Sequence, residues 1–520
     1  MTRNINTDLS HVESLFGNPS PSLYEERGRS VRGNVAFIII AATLIRLAFA
    51  LQTGLGVDES YTVATARQLH LGYFDHPPLC WWLTWAAGRL FHSEAPALIR
   101  LPFIALFALS SRLLYRLTER LFSPQAGFWA VVAFTLAPVF GVTTASWVLP
   151  DGPLVAALLG FMICLVEATA WAGGRWRWWL GAGVCAGLAM LSKFTALPIL
   201  AGAVAALLLH PAKRHWLARP QAWVAIAIAL ALFSPVIIWN AQHHWCSFAF
   251  QGGRAQALGW HPLAPLKTLG GQALFLLPWI WAALAAGLVA AWRRGRRSWE
   301  SWLLAWCATP TIAIFALVGL WSNTRMLYHW ADAGYLMAFP LAGRWLASFA
   351  ARHGPRLRQV GLASAWFVVA AVAMVGAEAH WGLLPISGRP GSRGSDADFT
   401  LADWSSLEPQ MRARGWLAAG GPVVAALRWH IAGRLDYALH GEVPVICLGD
   451  DPRQYGIERP AGAQAGRDLL ILAPGMSREA IEHQLGVSFS RIDDATPLYL
   501  LHGGRIAMEI PVYIGHSLKE

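Results

Sequence analysis

Runs of about twenty mostly apolar residues recur near 34–53, 97–115, 126–146, 152–171, 221–239, 264–292, 302–321, 334–350 and 360–378, each long enough to cross a bilayer as a helix. A backbone in hydrocarbon satisfies its polar groups only as a helix or a closed barrel, so these runs commit the chain to a helical bundle. A further run, 179–209, exceeds one ordinary span and carries Ser192-Lys193-Phe194-Thr195 near its middle. As one tilted helix it would bury Lys193 in hydrocarbon, at a cost of about 3 kcal/mol, and would move every later loop to the other side. As two short helices hinged at SKFT, it places RGRSVR, RLTER, RWR, KRHWLAR, RRGRR and RHGPRLR on one side, as the positive-inside pattern requires. The hinged reading predicts eleven spans, N-terminus inside and C-terminus outside.

Composition agrees, since 55% of residues are hydrophobic and only 14% charged, against about a quarter charged in soluble chains. Many of the 28 tryptophans flank apolar runs, among them Trp81, Trp147, Trp178, Trp239, Trp279, Trp321 and Trp381, the placement expected at a membrane-water boundary. The net charge of +11 is scattered in small clusters between the runs, which argues against a nucleic-acid surface. The six cysteines form no CxxC pair, so neither a disulfide framework nor a cysteine metal site is expected. Residues 1–33 are too long and polar for a signal peptide and read as a cytoplasmic tail. Beyond Trp381 the stretch SGRPGSRGSDAD marks a boundary. After it PVVAAL, VPVICLG and DLLILAP read as buried strands, RWHIAGRLDYALHG as a helix, and PLYLLHGG with RIAMEIPVYI as a hairpin. The expected fold class is a polytopic all-α membrane protein, residues 34–384, with a small extracytoplasmic α/β domain at 385–520.

This topology gathers the remaining polar landmarks on the outer face: Asp58, Glu59 and His76 after the first span, Asp151 after the third, Lys193 at the hinge, Arg254 after the seventh, and Arg325, His329 and Asp332 after the ninth. A carboxylate partly desolvated beside lipid has a raised pKa and can act as a general base; the same Asp-Glu pair could equally be an acidic cap or a solvated loop. The following TVATARQLHLGYF can form an amphipathic interfacial helix, with Val63, Ala66, Leu69 or His70 and Tyr73 at helical spacing. His76-Pro77-Pro78 stops it, and an apolar helix resumes over Leu79–Leu90.

DESY (58–61) followed by GYFDHPPLCWWL (72–83), LPDGPL (149–154), GLAMLSKFTALPIL (187–200), WNAQHHWCSFAFQGGR (239–254) and the HWADAGY segment at His329 together resemble the polyprenyl-phosphate-sugar-dependent glycosyltransferases of the GT-C fold. That set, which includes glycosyltransferase family 39, contains the lipid A aminoarabinose transferases, the protein O-mannosyltransferases and the Rgt-type galacturonosyltransferases. The resemblance covers residues 34–350. It implies an inner-membrane enzyme, with active site and C-terminus extracytoplasmic, that moves a sugar from a polyprenyl-phosphate carrier to lipid A, lipopolysaccharide core or another envelope glycan by inverting displacement. Protein O-mannosyl transfer is the alternative, and a polytopic transporter or scaffold the non-enzymatic one.

Carried over by residue, the resemblance makes Asp58 the general base and Glu59 the group orienting acceptor or cation. Asp151 becomes a second acidic position and Lys193 and Arg254 partners of the lipid phosphate, while Tyr61, His76 and His329 line the substrate site. Each has a plainer alternative: Lys193 as a snorkelling helix end, Asp151 as a helix N-cap, His329 as interface packing. His243, His244 and His261 lack metal-ligand spacing, and Arg46 should point into the bundle. No nucleotide motif occurs, in keeping with a donor already attached to lipid. A divalent cation is the one cofactor left open, with no ligand assigned. The expected partners are the lipid-linked donor, a glycolipid or glycan acceptor and membrane lipid, with no nucleic acid.

Overall fold

The structure is a computed structural model that describes residues 21–170, 175–256, 259–324, 326–382, 403–418 and 420–519. Arg325, most of the expected tail and the SGRPGSRGSDAD linker lie outside the described residues. Helix α1 (Pro21–Gln52) begins before the expected start at residue 34. The short helices α2 (Val57–Ala66) and α3 (Leu79–Phe91) follow, and then α4 (Pro96–Leu121) and α5 (Pro124–Leu136). After Pro138 the chain makes a π-helical turn, Val139–Thr144, before α6 (Asp151–Ala170).

The long run 179–209 is two helices, α7 (Trp176–Ser192) and α8 (Ala196–Leu209), separated at Lys193, whose backbone is extended (φ −159°, ψ 141°). Contacts show that they form a hairpin. Lys193 bonds Asp151 at the start of α6, whereas Lys213, just past α8, donates to the carbonyl of Thr169 at the other end of α6 at 2.8 Å. Twenty helical residues rise about 30 Å, so the chain has returned across the bundle. The basic segments collect at that second end: Arg32 pairs with Glu119, Arg120 with Glu167, and His210 meets the Arg296 carbonyl.

Helices α9 (Pro220–Gln242) and α10 (Cys246–Gly253) lead to α11 (Ala264–Leu276) and α12 (Pro278–Arg294). The expected single span 264–292 is therefore a pair bent by 113°, broken at Leu277 (φ 67°) before Pro278. Helix α13 (Trp299–Leu317) precedes α14 (Asp332–Trp381), which is kinked at His353. Asp332 near its start and Ala371, Val372 and Val375 near its end border the same cavity. A straight helix would hold them about 60 Å apart, so α14 doubles back at His353-Gly354-Pro355.

Six helices among the described residues are long and apolar enough to cross a membrane, seven if the bent pair counts as one span. Eleven is not reached on that measure, because α5, α7 and α8 are short and the last two expected spans form one kinked helix. The protein is multi-pass. Its core is continuous from α4 to α14, with Phe134, Phe140 and Phe339 in mutual ring contact at its centre. Glycines permit the tightest crossings: a Cβ on Gly343 in α14 would stand 2.3 Å from the Ala126 carbonyl oxygen of α5.

The C-terminal residues form a five-stranded sheet, β1 (Val423–Ala426), β2 (Val445–Cys447), β3 (Leu469–Leu472), β4 (Phe489–His502) and β5 (Arg505–Leu518), in the order β2-β1-β3-β5-β4. β1 pairs parallel with β2 and β3, while β5 runs antiparallel to β3 and β4. The three short strands are entirely buried, as continuous apolar runs of that length imply. α15 (Leu407–Ala413), α16 (Trp429–Ala438), α17 (Gln454–Glu458) and α18 (Arg478–Leu485) complete the domain.

This domain sits on α2. A Cβ on Gly433 of α16 would lie 2.8 Å from the Cα of Tyr61, so only glycine allows that approach. Arg67 bonds Asp436, Tyr437 donates to the Glu94 carbonyl, and Gln454 accepts from the Phe74 amide. The expected amphipathic interfacial helix is thus corrected: α2 ends at Ala66, and Glu59–Ala66 are all buried between the bundle and the sheet domain.

Candidate active site

A cavity of about 1020 Å³ opens where the bundle meets the C-terminal domain. Its polar lining includes Asp58, Tyr61, Asp75, His76, Asp151, Lys193, Arg254, His329 and Asp332. Of the eight residues expected at the site from sequence, seven therefore border one space; Glu59 does not. Its apolar lining includes Phe49, Leu197, Phe275, Phe315, Val372 and Val375, drawn from α1, α8, α11, α13 and the returning half of α14.

Asp58 and Glu59 separate because adjacent helical residues point about 100° apart. Glu59 turns into protein and is fully buried. Arg100 of α4 binds both its oxygens, at 2.8 and 2.5 Å, the Val148 amide donates to Oε1 at 3.0 Å, and the Gly56 amide donates to Oε2 at 2.7 Å. The last bond caps the N-terminus of α2. Arg100 in turn donates to the carbonyls of Thr53 and Gly54, where α1 ends. Its oxygens are so occupied and turned from the cavity, and Glu59 does not join the other expected site residues in its lining.

Asp58 makes no hydrogen bond or ion pair among the described residues. Its side chain is exposed, but to the cavity rather than the outer surface. Enclosure in protein raises its pKa, with Arg453 the leading opposing influence and Asp75 and Glu59 adding like charge. A carboxylate that is unpaired, raised and open to a cavity is what a general base requires.

Lys193 and Asp151 form a buried ion pair, with Nζ at 2.8 and 2.9 Å from the two carboxylate oxygens. Two of the three ammonium hydrogens are used, leaving one donor for the cavity. Asp151 is the first residue of α6, so its pairing adds to an N-terminal helix position that already favours an anion. Arg254, at the end of α10, bonds only the neutral Gln251 side chain, at 3.1 Å, and lies over the Phe250 and Trp330 rings at 4.4 and 4.8 Å. Among the described residues it has no carboxylate partner. His76 has a buried Nδ1 with no partner among the described residues, and burial pushes its pKa down to about 4, so the imidazole is neutral. Tyr61 donates to Asp75 at 3.3 Å and accepts from the Gln454 amide at 3.2 Å. His329 borders the cavity from the turn before α14.

Sequence reasoning passed over Asp75, Arg453 and Trp429. Asp75 stands beside His76 in GYFDHPPL and joins Tyr61 to Arg453; the motif itself pointed at it. Arg453 and Trp429 come from the C-terminal domain and border the cavity, and no spacing ties residues so remote to the first loop. The π-helical turn is a further wall element. It contributes Val139, Val142, Thr143 and Thr144 to the lining, and Arg46 of α1 fixes it through two bonds to the Gly141 carbonyl at 3.1 and 2.7 Å. No group of three or more potential metal ligands is present among the described residues.

Residues 75–239 match the model of a family described as dolichyl-phosphate-mannose-protein mannosyltransferase. Over 326 residues the chain is 27% identical to the lipid A galacturonosyltransferase RgtD of Rhizobium johnstonii, a match covering 61% of this chain and 66% of that relative, just under two thirds of its length. The fold superposes on ArnT from Cupriavidus metallidurans with a TM-score of 0.63 for the form bound to undecaprenyl phosphate and 0.64 for the apo form. Identity is 13%, with 92% and 93% of this chain and 98% of that chain covered, so this likeness speaks to fold alone. The chain therefore has the GT-C fold, and the stretch that the mannosyltransferase family model matches, residues 75–239, holds His76, Asp151 and Lys193.

Proposed function

We propose that the protein is an integral-membrane glycosyltransferase that moves a sugar from a polyprenyl-phosphate carrier to an acceptor at the extracytoplasmic face of the inner membrane. The observation that carries this reading is the cavity itself, which joins in one space an apolar wall and, among the described residues, an unpaired carboxylate and a guanidinium without a carboxylate partner. The similarity to a lipid A galacturonosyltransferase and the fold shared with an undecaprenyl-phosphate-binding protein support the donor class.

The prenyl chain lies along the wall of Phe49, Leu197, Phe275 and Val372. Its phosphate meets Arg254 and the remaining donor of Lys193, which Asp151 holds in place. Asp58 takes the proton of an acceptor hydroxyl as its oxygen attacks the anomeric carbon. The bond from that carbon to the phosphate oxygen breaks, its electron pair stays on the phosphate, and the linkage inverts. Cations in a water-poor site stabilise the departing phosphate by several kcal/mol. Tyr61, His76 and His329 line the sugar and acceptor region, and Glu59 holds α2 in place rather than touching substrate. The basic end of the bundle is cytoplasmic, by the positive-inside rule, which puts cavity and C-terminal domain outside.

The acceptor is an envelope glycolipid such as lipid A or lipopolysaccharide core. Mass spectrometry of envelope lipids and secreted proteins, from cells with the intact gene, without it, and with Asp58→Asn, tests this. Loss of one sugar-sized mass from a glycolipid in both deficient strains is expected. Unchanged glycolipids with secreted proteins that lose hexose would replace this acceptor by protein.

A further inference from the structure

Arg453 reaches the cavity from the C-terminal domain on a strained backbone, φ 49° and ψ −130°, a conformation that a non-glycine residue keeps only where its surroundings impose it. Its Nη1 donates to Asp75 at 3.0 Å, and the guanidinium lies 3.7 Å from the centroid of Trp429 and 5.5 Å from that of Phe250. Nε approaches Asp451 at 3.4 Å, and Nη2 has no hydrogen-bond partner among the described residues. Asp58 borders the same cavity, its own oxygens unpaired among the described residues.

Among the described residues, the charged groups that act on Asp58 include Glu59 behind it on its own helix, Asp75 on the first loop, Lys193 at the hinge, and Arg453 and Arg434 on the C-terminal domain. Glu59 and Asp75 disfavour a third negative charge. Lys193 gives its Nζ to both oxygens of Asp151, whereas Arg453 gives Asp75 only Nη1 and keeps Nη2 without a partner among the described residues. Arg453 is the strongest positive influence on the Asp58 carboxyl, although the two are too far apart for a direct salt bridge. We propose that Arg453, aimed by Asp75 and Trp429, is a positioning residue that supplies the counter-charge for the Asp58 carboxylate, which makes the C-terminal domain a component of the active site. The proposal rests on reading Asp58 as the base and adds that the base is competent only while this domain is docked.

The test is carbodiimide labelling of Asp58 against pH in the purified full-length protein, read by peptide mass spectrometry, because carbodiimides modify the protonated carboxyl. In Arg453→Gln the labelling midpoint should rise by about one pH unit. The acid limb of kcat should rise with it, so that activity recovers at high pH; Arg453→Lys should stay close to the unmodified protein. Arg453→Met, which keeps an unbranched stem beside Trp429, is the second uncharged variant should the glutamine form not fold. An unmoved labelling midpoint, with kcat lowered by the same factor at every pH, would overturn the proposal. If the unmodified protein transfers no sugar from any polyprenyl-phosphate donor while the midpoint still shifts, the glycosyltransferase reading fails and the electrostatic coupling stands.

Discussion

The Glu59 carboxylate accepts from two Arg100 nitrogens and from the amides of Gly56 and Val148, and a buried pair of this kind reveals its importance when one partner is removed. Breaking it leaves an uncompensated buried charge, a loss of about 3–5 kcal/mol. Arg100→Ala should therefore lower the thermal midpoint of the detergent-solubilised protein markedly, and Glu59→Gln should lower it in the same direction. Asp58→Asn breaks no hydrogen bond and should leave the midpoint unchanged. Equal midpoints for Arg100→Ala and Asp58→Asn would mean that the clamp holds nothing. From sequence the two carboxylates are equivalent neighbours, and their separation rests on Arg100 and Val148, which no local pattern links to Glu59. Asp58 itself was legible because a carboxylate following an apolar run is conspicuous.

At the scale of elements, the hinge at Lys193 was readable from sequence because a lysine within thirty apolar residues has a high cost unless the helix stops there. The contacts of Lys193 with Asp151 and of Lys213 with Thr169 place hinge and return at opposite ends of α6. A reporter active only outside the cytoplasm should accordingly be on when fused after Ser192 and off when fused after Lys213. Matching signals at the two positions would break the hairpin and separate Lys193 from the rest of the cavity. The bend between α11 and α12 left no comparable mark, because Leu277-Pro278 lies in an unbroken apolar stretch and a proline in a membrane helix does not by itself predict a 113° turn. The π-helical turn was equally hidden, since the hydrogen bonds that hold it come from Arg46 on a different helix.

For the whole molecule, the C-terminal strands could be read from their apolar runs, but where that domain docks could not. Its contact with α2 depends on Gly433 opposite Tyr61 and on Arg67 meeting Asp436, pairs separated by most of the chain. The buried state of α2 and the presence of Arg453 in the cavity follow from that docking, which is why an interfacial helix was expected where a sandwiched one occurs. The central claim is that this assembled cavity transfers a sugar from a polyprenyl-phosphate donor with Asp58 as the base. The most direct measurement is single-donor turnover by the purified full-length protein, unmodified and Asp58→Asn, with the anomeric configuration of the product read by NMR. The account predicts transfer with inversion, a fall of about 100-fold or more in kcat for Asp58→Asn, and loss of activity in the unmodified protein as pH falls through the raised pKa of Asp58. Retained configuration in the product, or an Asp58→Asn protein that turns over at the unmodified rate, would contradict it.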